Sequence, residues 1–205
     1  MEERFDTARL EAFSDGVFAI AITLLVLELS VPEEDFDDLL SGIADQWPSY
    51  LAYLTSFATI GGVWLVHHAI FRRTRYADPW LVGANLVLLL VVSFLPFPTK
   101  LVAEAIHSAS AERIAVLFYG GTLLVISLIV TGIARYVAGR ETLLADGVRG
   151  EDVLAATSQG EPSIAFYAVL LASAVFFPQI AAFGLCVVSI LLIVLPARTY
   201  RLRRA

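Results

Sequence analysis

Residues Arg9–Leu29 read RLEAFSDGVFAIAITLLVLEL, an apolar helix that carries Ser14 and Asp15 near its start. Only twelve uncharged residues separate Asp15 from Glu28, whereas a hydrocarbon core roughly 30 Å thick needs about 20 helical residues. A spanning helix must therefore take Asp15 into the bilayer with it. A carboxylate there costs on the order of 3 kcal/mol near the centre and less towards an interface, which marks it as a functional or structural site.

At about 100° per residue, Phe13, Ile20, Leu24 and Leu27 fall on one stripe with Arg9 below them, beside a small-residue stripe of Ala12, Gly16, Ala19 and Thr23. Small residues at this spacing let another helix backbone approach closely where lipid removes the hydrophobic drive to associate. Asp15 lies about 140° round from Ile20. One face is thus suited to meeting copies or partners, and the carboxylate faces a scaffold.

Arg9, Phe13, Ser14 and Asp15 spell R-x-x-x-F-S-D ahead of an apolar helix with Ile20, Thr23 and Leu27. This resembles the transmembrane protein 175 family of potassium channels. The resemblance implies a six-helix unit, one per chain in bacterial members, which assemble as tetramers with the first helix lining the pore. It further implies that Ile20, Thr23, Leu24 and Leu27 form an apolar constriction. From the residues alone, the same Leu/Ile stripe also reads as lipid-facing packing.

The whole composition agrees with a membrane class: 205 residues, 58% hydrophobic, mean hydropathy +0.76, against roughly 45–50% apolar for soluble domains. We expect one transmembrane domain over residues 1–205, all-α and multi-pass in a cell membrane. Cys186 stands alone in an apolar run, which excludes an intramolecular disulfide. The formal charge of −6 says nothing of nucleic acid, and no nucleic-acid partner is expected. No cleavable leader is expected before the first span, which itself would serve as the insertion signal.

Six spans are expected, at about 13–31, 48–71, 79–97, 113–134, 163–178 and 183–200. The first ends at Pro32; the second opens on Pro48; Asp78 and Pro79 start the third, which Pro96 and Pro98 close. Gly120-Gly121 marks a close crossing in the fourth. The uncharged run from Ser163 to Ala197 is 35 residues, about 52 Å as helix, so Pro178-Gln179 must divide it, with Gly184 opening the last helix. Between spans one and two, Glu28–Asp45 holds seven acids and no Lys or Arg around Phe36, Leu39, Leu40 and Ile43. That stretch reads as a short amphipathic surface helix, either a cation-concentrating mouth or an ordinary solvated loop. Residues 135–162 form the one long polar connection, with a short helix expected around Asp152–Thr157.

Lys and Arg concentrate at the amino terminus, after span two, after span four and in the tail, which places both termini in the cytoplasm by the positive-inside rule. Asp15, His68 and Asn85 then share a depth. A hydrogen-bonded cluster is expected of Ser14, Asp15, one of His67 or His68, and Asn85, closed by Arg9 or Trp64, because buried polar groups in lipid need partners. Its histidine could sense protons or simply satisfy its neighbours. Adjacent histidines cannot share a helix face, so they do not make a metal pair.

No nucleophile elbow, zinc-protease helix or phosphate loop is present, so an enzyme and a cofactor are not expected. A carbonyl-lined filter run is absent too. The expected function is a homotetrameric potassium-selective channel, with lipid and permeant potassium as its other partners. The alternative is a secondary transporter or a proton leak through the Asp15/His68 cluster. The motif occurs once and the first helix has no internal break, whereas transporters usually show repeats and broken helices.

Overall fold

The computed structural model describes residues 5–30, 37–105, 109–157, 160–187 and 189. Asp6 caps the first helix by accepting from the Ala8 amide at 2.9 Å, and α1 runs Thr7–Leu24 before tightening into a 3-10 turn at Leu25–Glu28. A short α2 (Leu39–Asp45) leads into α3 (Trp47–Phe71), where Pro48 occupies a first-turn position that needs no amide donor. The elbow between them is held by the Tyr50 hydroxyl, which donates to the Ile43 carbonyl at 3.1 Å. Leu39, Leu40 and Ile43 are exposed on α2; Phe36 lies outside the described residues.

Next come α4 (Pro79–Phe94), α5 (Pro96–Glu104), α6 (Ala109–Ala138), α7 (Gly150–Ala156), α8 (Gly160–Ala174) and α9 (Pro178–Val187). Four helical stretches among the described residues are long and apolar enough to cross a membrane: 7–28, 47–71, 79–104 and 110–138. Most of the expected sixth span, 183–200, lies outside the described residues.

Two boundaries differ from expectation. The helix does not stop at Pro96 and Pro98; it turns at Leu95 and continues as α5, because prolines in a first turn surrender amides that had no helical partner anyway. Gly184 does not open the last helix. It sits inside α9, where a Cβ would come 2.5 Å from Leu170 Cδ2, so it serves a close crossing of α8 and α9. Gly120 does the same on α6 against Leu171, while Gly121 faces open space.

α3 and α6 form the middle of the bundle, with α1 and α4 packed to one side and α8 against α6. The core between them includes Phe18, Leu25, Ile60, Leu88, Leu123 and Ile126. α1 is the least covered of the long helices: 22% of its span is buried, against 50% for α3.

At the arginine-rich end a small layer fastens three connections together. A two-residue strand β1 (Phe5–Asp6) pairs antiparallel with β2 (Tyr76–Ala77), and Thr74 bridges Leu144 through Arg75 N to Leu143 O, 2.7 Å, and Ala145 N to Arg73 O, 2.9 Å. Asp78 accepts from the Leu81 amide at 2.8 Å with one oxygen and from the Tyr136 hydroxyl at 2.6 Å with the other, pinning α4 to α6. Trp80 stacks on Tyr136 at 3.8 Å.

Gly150, at the start of α7, lies so close to the end of α6 that a Cβ would overlap the Ala138 carbonyl. Backbone cannot yield as a side chain does. Gly150→Ala should therefore lower stability by about 1–3 kcal/mol, read as a lower unfolding midpoint of the purified protein.

Candidate functional site: the two faces of the first helix

The back of α1 carries Ser14, Phe18, Ala21 and Leu25, all buried and spaced three or four residues apart. Ser14 gives its hydroxyl proton to the Leu10 carbonyl at 2.8 Å and accepts from Asn85 Nδ2 on α4 at 2.9 Å. The other end of that amide, Oδ1, meets His67 Nε2 on α3 at 2.8 Å. With Nδ2 spent on Ser14, Oδ1 must accept, so the ring presents its Nε2–H. The ring lies 4.3 Å over Phe71 and 5.3 Å from Phe18, and its Nδ1 is buried without a partner.

Asp15 belongs to a different set. Trp64 Nε1 donates to Asp15 Oδ1 at 2.8 Å, and one turn away His68 Nδ1 lies 2.6 Å from Glu11 Oε1. Trp64 donates to Asp15, while the close His68 Nδ1–Glu11 contact lacks hydrogen-bond geometry; Glu11/Asp15 on one helix and Trp64/His68 on the other thus mesh as two i, i+4 pairs. Trp64 and His68 stack at 5.7 Å. The single cluster expected from depth is thus two networks that share α1 and α3, a buried amide bridge and a half-buried carboxylate ladder.

Arg9 joins neither. It is exposed, as is Phe13 on the same line. Glu11 was missing from the expected set, although its i, i+4 spacing from Asp15 was the signal that could have found it.

Among the described residues the front of α1 is left exposed. Phe13, Ile20, Leu24 and Leu27 are 56%, 61%, 41% and 72% exposed. Gly16 would have nothing within 4 Å of a Cβ. Thr23 donates its hydroxyl proton to the Ile20 carbonyl at 2.9 Å, so its oxygen turns lone pairs outward. Beyond Leu27, Glu28 lies 3.6 Å from Lys100 on α5. Among the described residues no group of histidines, cysteines and acids could hold a metal ion.

Helices of spanning length, a polar network sealed behind α1 and a bare apolar face in front of it define a multi-pass membrane protein of the cell membrane. Residues 9–96 match the family described as endosomal/lysosomal potassium channel TMEM175. A potassium channel of Chamaesiphon minutus is 41% identical over 189 residues, 91% of this chain and 92% of its own. The crystal structure of a lysosomal potassium-selective channel TMEM175 homolog from Chamaesiphon minutus superposes with a TM-score of 0.81 at 37% identity, covering 91% of this chain and 96% of that one. The endosomal/lysosomal proton channel TMEM175 of Gallus gallus is 35% identical over 121 residues, 55% of this chain and 24% of its own. The chain belongs to the TMEM175 family.

Removing the amide bridge leaves buried donors unpaired, while the half-exposed pair is screened by solvent. Asn85→Leu should cost about 1–3 kcal/mol and His68→Ala less than about 1 kcal/mol. Chemical unfolding of the two variants side by side checks the order.

Proposed function

We propose that the chain is one subunit of a potassium-selective channel in which four copies turn the front of α1 towards a common axis. One copy of a helix cannot enclose a path, and closed rotational symmetry is the economical way to supply the rest. The observation that carries this reading is the bare apolar front of α1, set against a back that is tied to α3 and α4. The names of the closely similar Chamaesiphon minutus proteins support potassium as the ion.

On this reading Ile20, Leu24 and Leu27 make a neck that offers no ligands. An ion crossing it sheds water, and potassium loses its hydration shell at lower cost than sodium, so a narrow apolar ring favours potassium. Between the rings the outward lone pairs of Thr23 supply oxygen at one level. A tighter ring dewets, and the same side chains then close the path. Both termini lie in the cytoplasm, which puts Glu28 and the α2 acids Asp38 and Asp45 at the outer mouth, where exposed carboxylates raise the local cation concentration over a Debye length of about 8–10 Å. Ser14, Asp15, Trp64, His67, His68 and Asn85 hold the neck helix in orientation without touching the ion.

Proton passage is a second reading, favoured by the name of the Gallus gallus relative. It would run along the same neck as water or use the Glu11–His68 and Asp15–Trp64 ladder beside it.

Ile20→Asn and Leu27→Ser should raise flux severalfold in proteoliposomes and lower potassium-over-sodium selectivity, because a polar neck wets and supplies ligands to both ions. Unchanged flux and selectivity in both variants would return these residues to packing. The same vesicles loaded with a pH dye separate proton passage from potassium, and His68→Ala should leave potassium flux intact.

A further inference from the structure

At the end of the bundle remote from Arg72, the tips of α3, α5, α6 and α9 enclose a cleft of about 270 Å³. Its walls are largely apolar, with Leu51, Val102, Val116 and Phe183 among them, and Trp47 at its edge is half exposed. Its hydroxyls are already committed. Thr55 donates to the Leu51 carbonyl at 2.7 Å, Thr99 to the Leu95 carbonyl at 2.8 Å, and Tyr119 is bonded to Ser56 at 2.9 Å.

One wall group is different. Glu112, in the first turn of α6, is 6% exposed and makes no hydrogen bond or ion pair with any described residue. Among the described residues the basic side chains of this end are occupied or turned outward: Lys100 lies 3.6 Å from Glu28 and 3.9 Å from Glu104, and Arg113 is exposed. A carboxylate without a counter-charge at the wall of a largely apolar cleft favours a cation that brings its own hydrophobic surface.

We propose that this cleft binds a small hydrophobic ammonium ion of arylalkylamine size. Its nitrogen meets Glu112, its apolar body lies against Leu51, Val116 and Phe183, and the Trp47 ring at the edge adds a cation–π contact. The site is separate from the front of α1, so its occupancy can be measured whether or not that face lines a pore.

The test uses the full-length protein in lipid nanodiscs, titrated with 2-phenylethylammonium and with uncharged 2-phenylethanol, which share a ring and differ in the head. Calorimetry and tryptophan fluorescence are the readouts. Saturable binding of the ammonium, about tenfold or more tighter than the alcohol, is expected, and Glu112→Gln should remove that preference. Ala52→Phe, which puts a ring into the cleft from its α3 wall, should abolish saturable binding of both probes and carries the test if Glu112→Gln fails to assemble. Absence of saturable ammonium binding, equal affinity for the two probes, or binding that survives Ala52→Phe would overturn the proposal.

Discussion

A primary amide sealed in an apolar interior must have both of its ends bonded, and Asn85 meets that demand only by joining three helices. Its Nδ2 reaches Ser14 on α1 and its Oδ1 reaches His67 on α3, while the residue itself stands on α4. Rotating α1 by one residue about its axis, roughly 100°, would carry Ser14 out of reach and leave a buried donor and acceptor unpaired. Each orphan costs about 1–3 kcal/mol, so the amide fixes the azimuth of α1 more narrowly than greasy packing alone, which tolerates neighbouring registers.

The same helix is fastened along its whole length. At its start β1 pairs with β2; one and two turns on, Glu11 meets His68 and Asp15 meets Trp64; then Ser14 meets Asn85, Phe18, Ala21 and Leu25 pack into the core, and Glu28 meets Lys100. All these ties leave from one side. The arginine-end layer and the Asp78–Tyr136 pin extend this to α4 and α6, so the frame behind α1 is itself braced. What remains in front is an uninterrupted strip of Phe13, Gly16, Ile20, Leu24 and Leu27, exposed among the described residues. A helix pinned behind and bare in front is suited to presenting that strip at a fixed angle.

Much of this was legible from residue types. Asp15 and Ser14 announced that the first span needed partners, and equal depth brought Asn85 and the histidines into consideration. Sequence could not divide them into two networks, because His67 and His68 lie only about 100° apart on a helix and either fits a depth argument. Deciding between them requires the relative rotation of α1 and α3, a tertiary quantity. Pro96 and Pro98 misled for a related reason: a proline reads as a stop, yet at the first turn of a new helix it costs nothing. Gly184 read as an opening because close approach and chain reversal both call for glycine. β1 and β2 were illegible, since two residues carry no period. Glu112 and its cleft gave no sequence signal, as a first-turn glutamate normally reads as helix-end electrostatics.

The 3-10 turn at the end of α1 shows how local geometry serves this two-sidedness. In an ideal α-helix residues three apart are about 60° out of line, whereas in a 3-10 turn they eclipse. Tightening over Leu25–Glu28 therefore brings Leu27 into line with Leu24 on the bare side, 72% and 41% exposed, and sets Glu28 over Leu25, which is fully buried. The carboxylate is thereby drawn towards α5 and Lys100 instead of the open strip. Had the α-helical rotation continued, Leu27 would still have lain on the strip, but Glu28 would have stood about 60° off Leu25 on the side of the strip. The poorer hydrogen-bond geometry of the 3-10 turn is the cost of turning that carboxylate away from the apolar line.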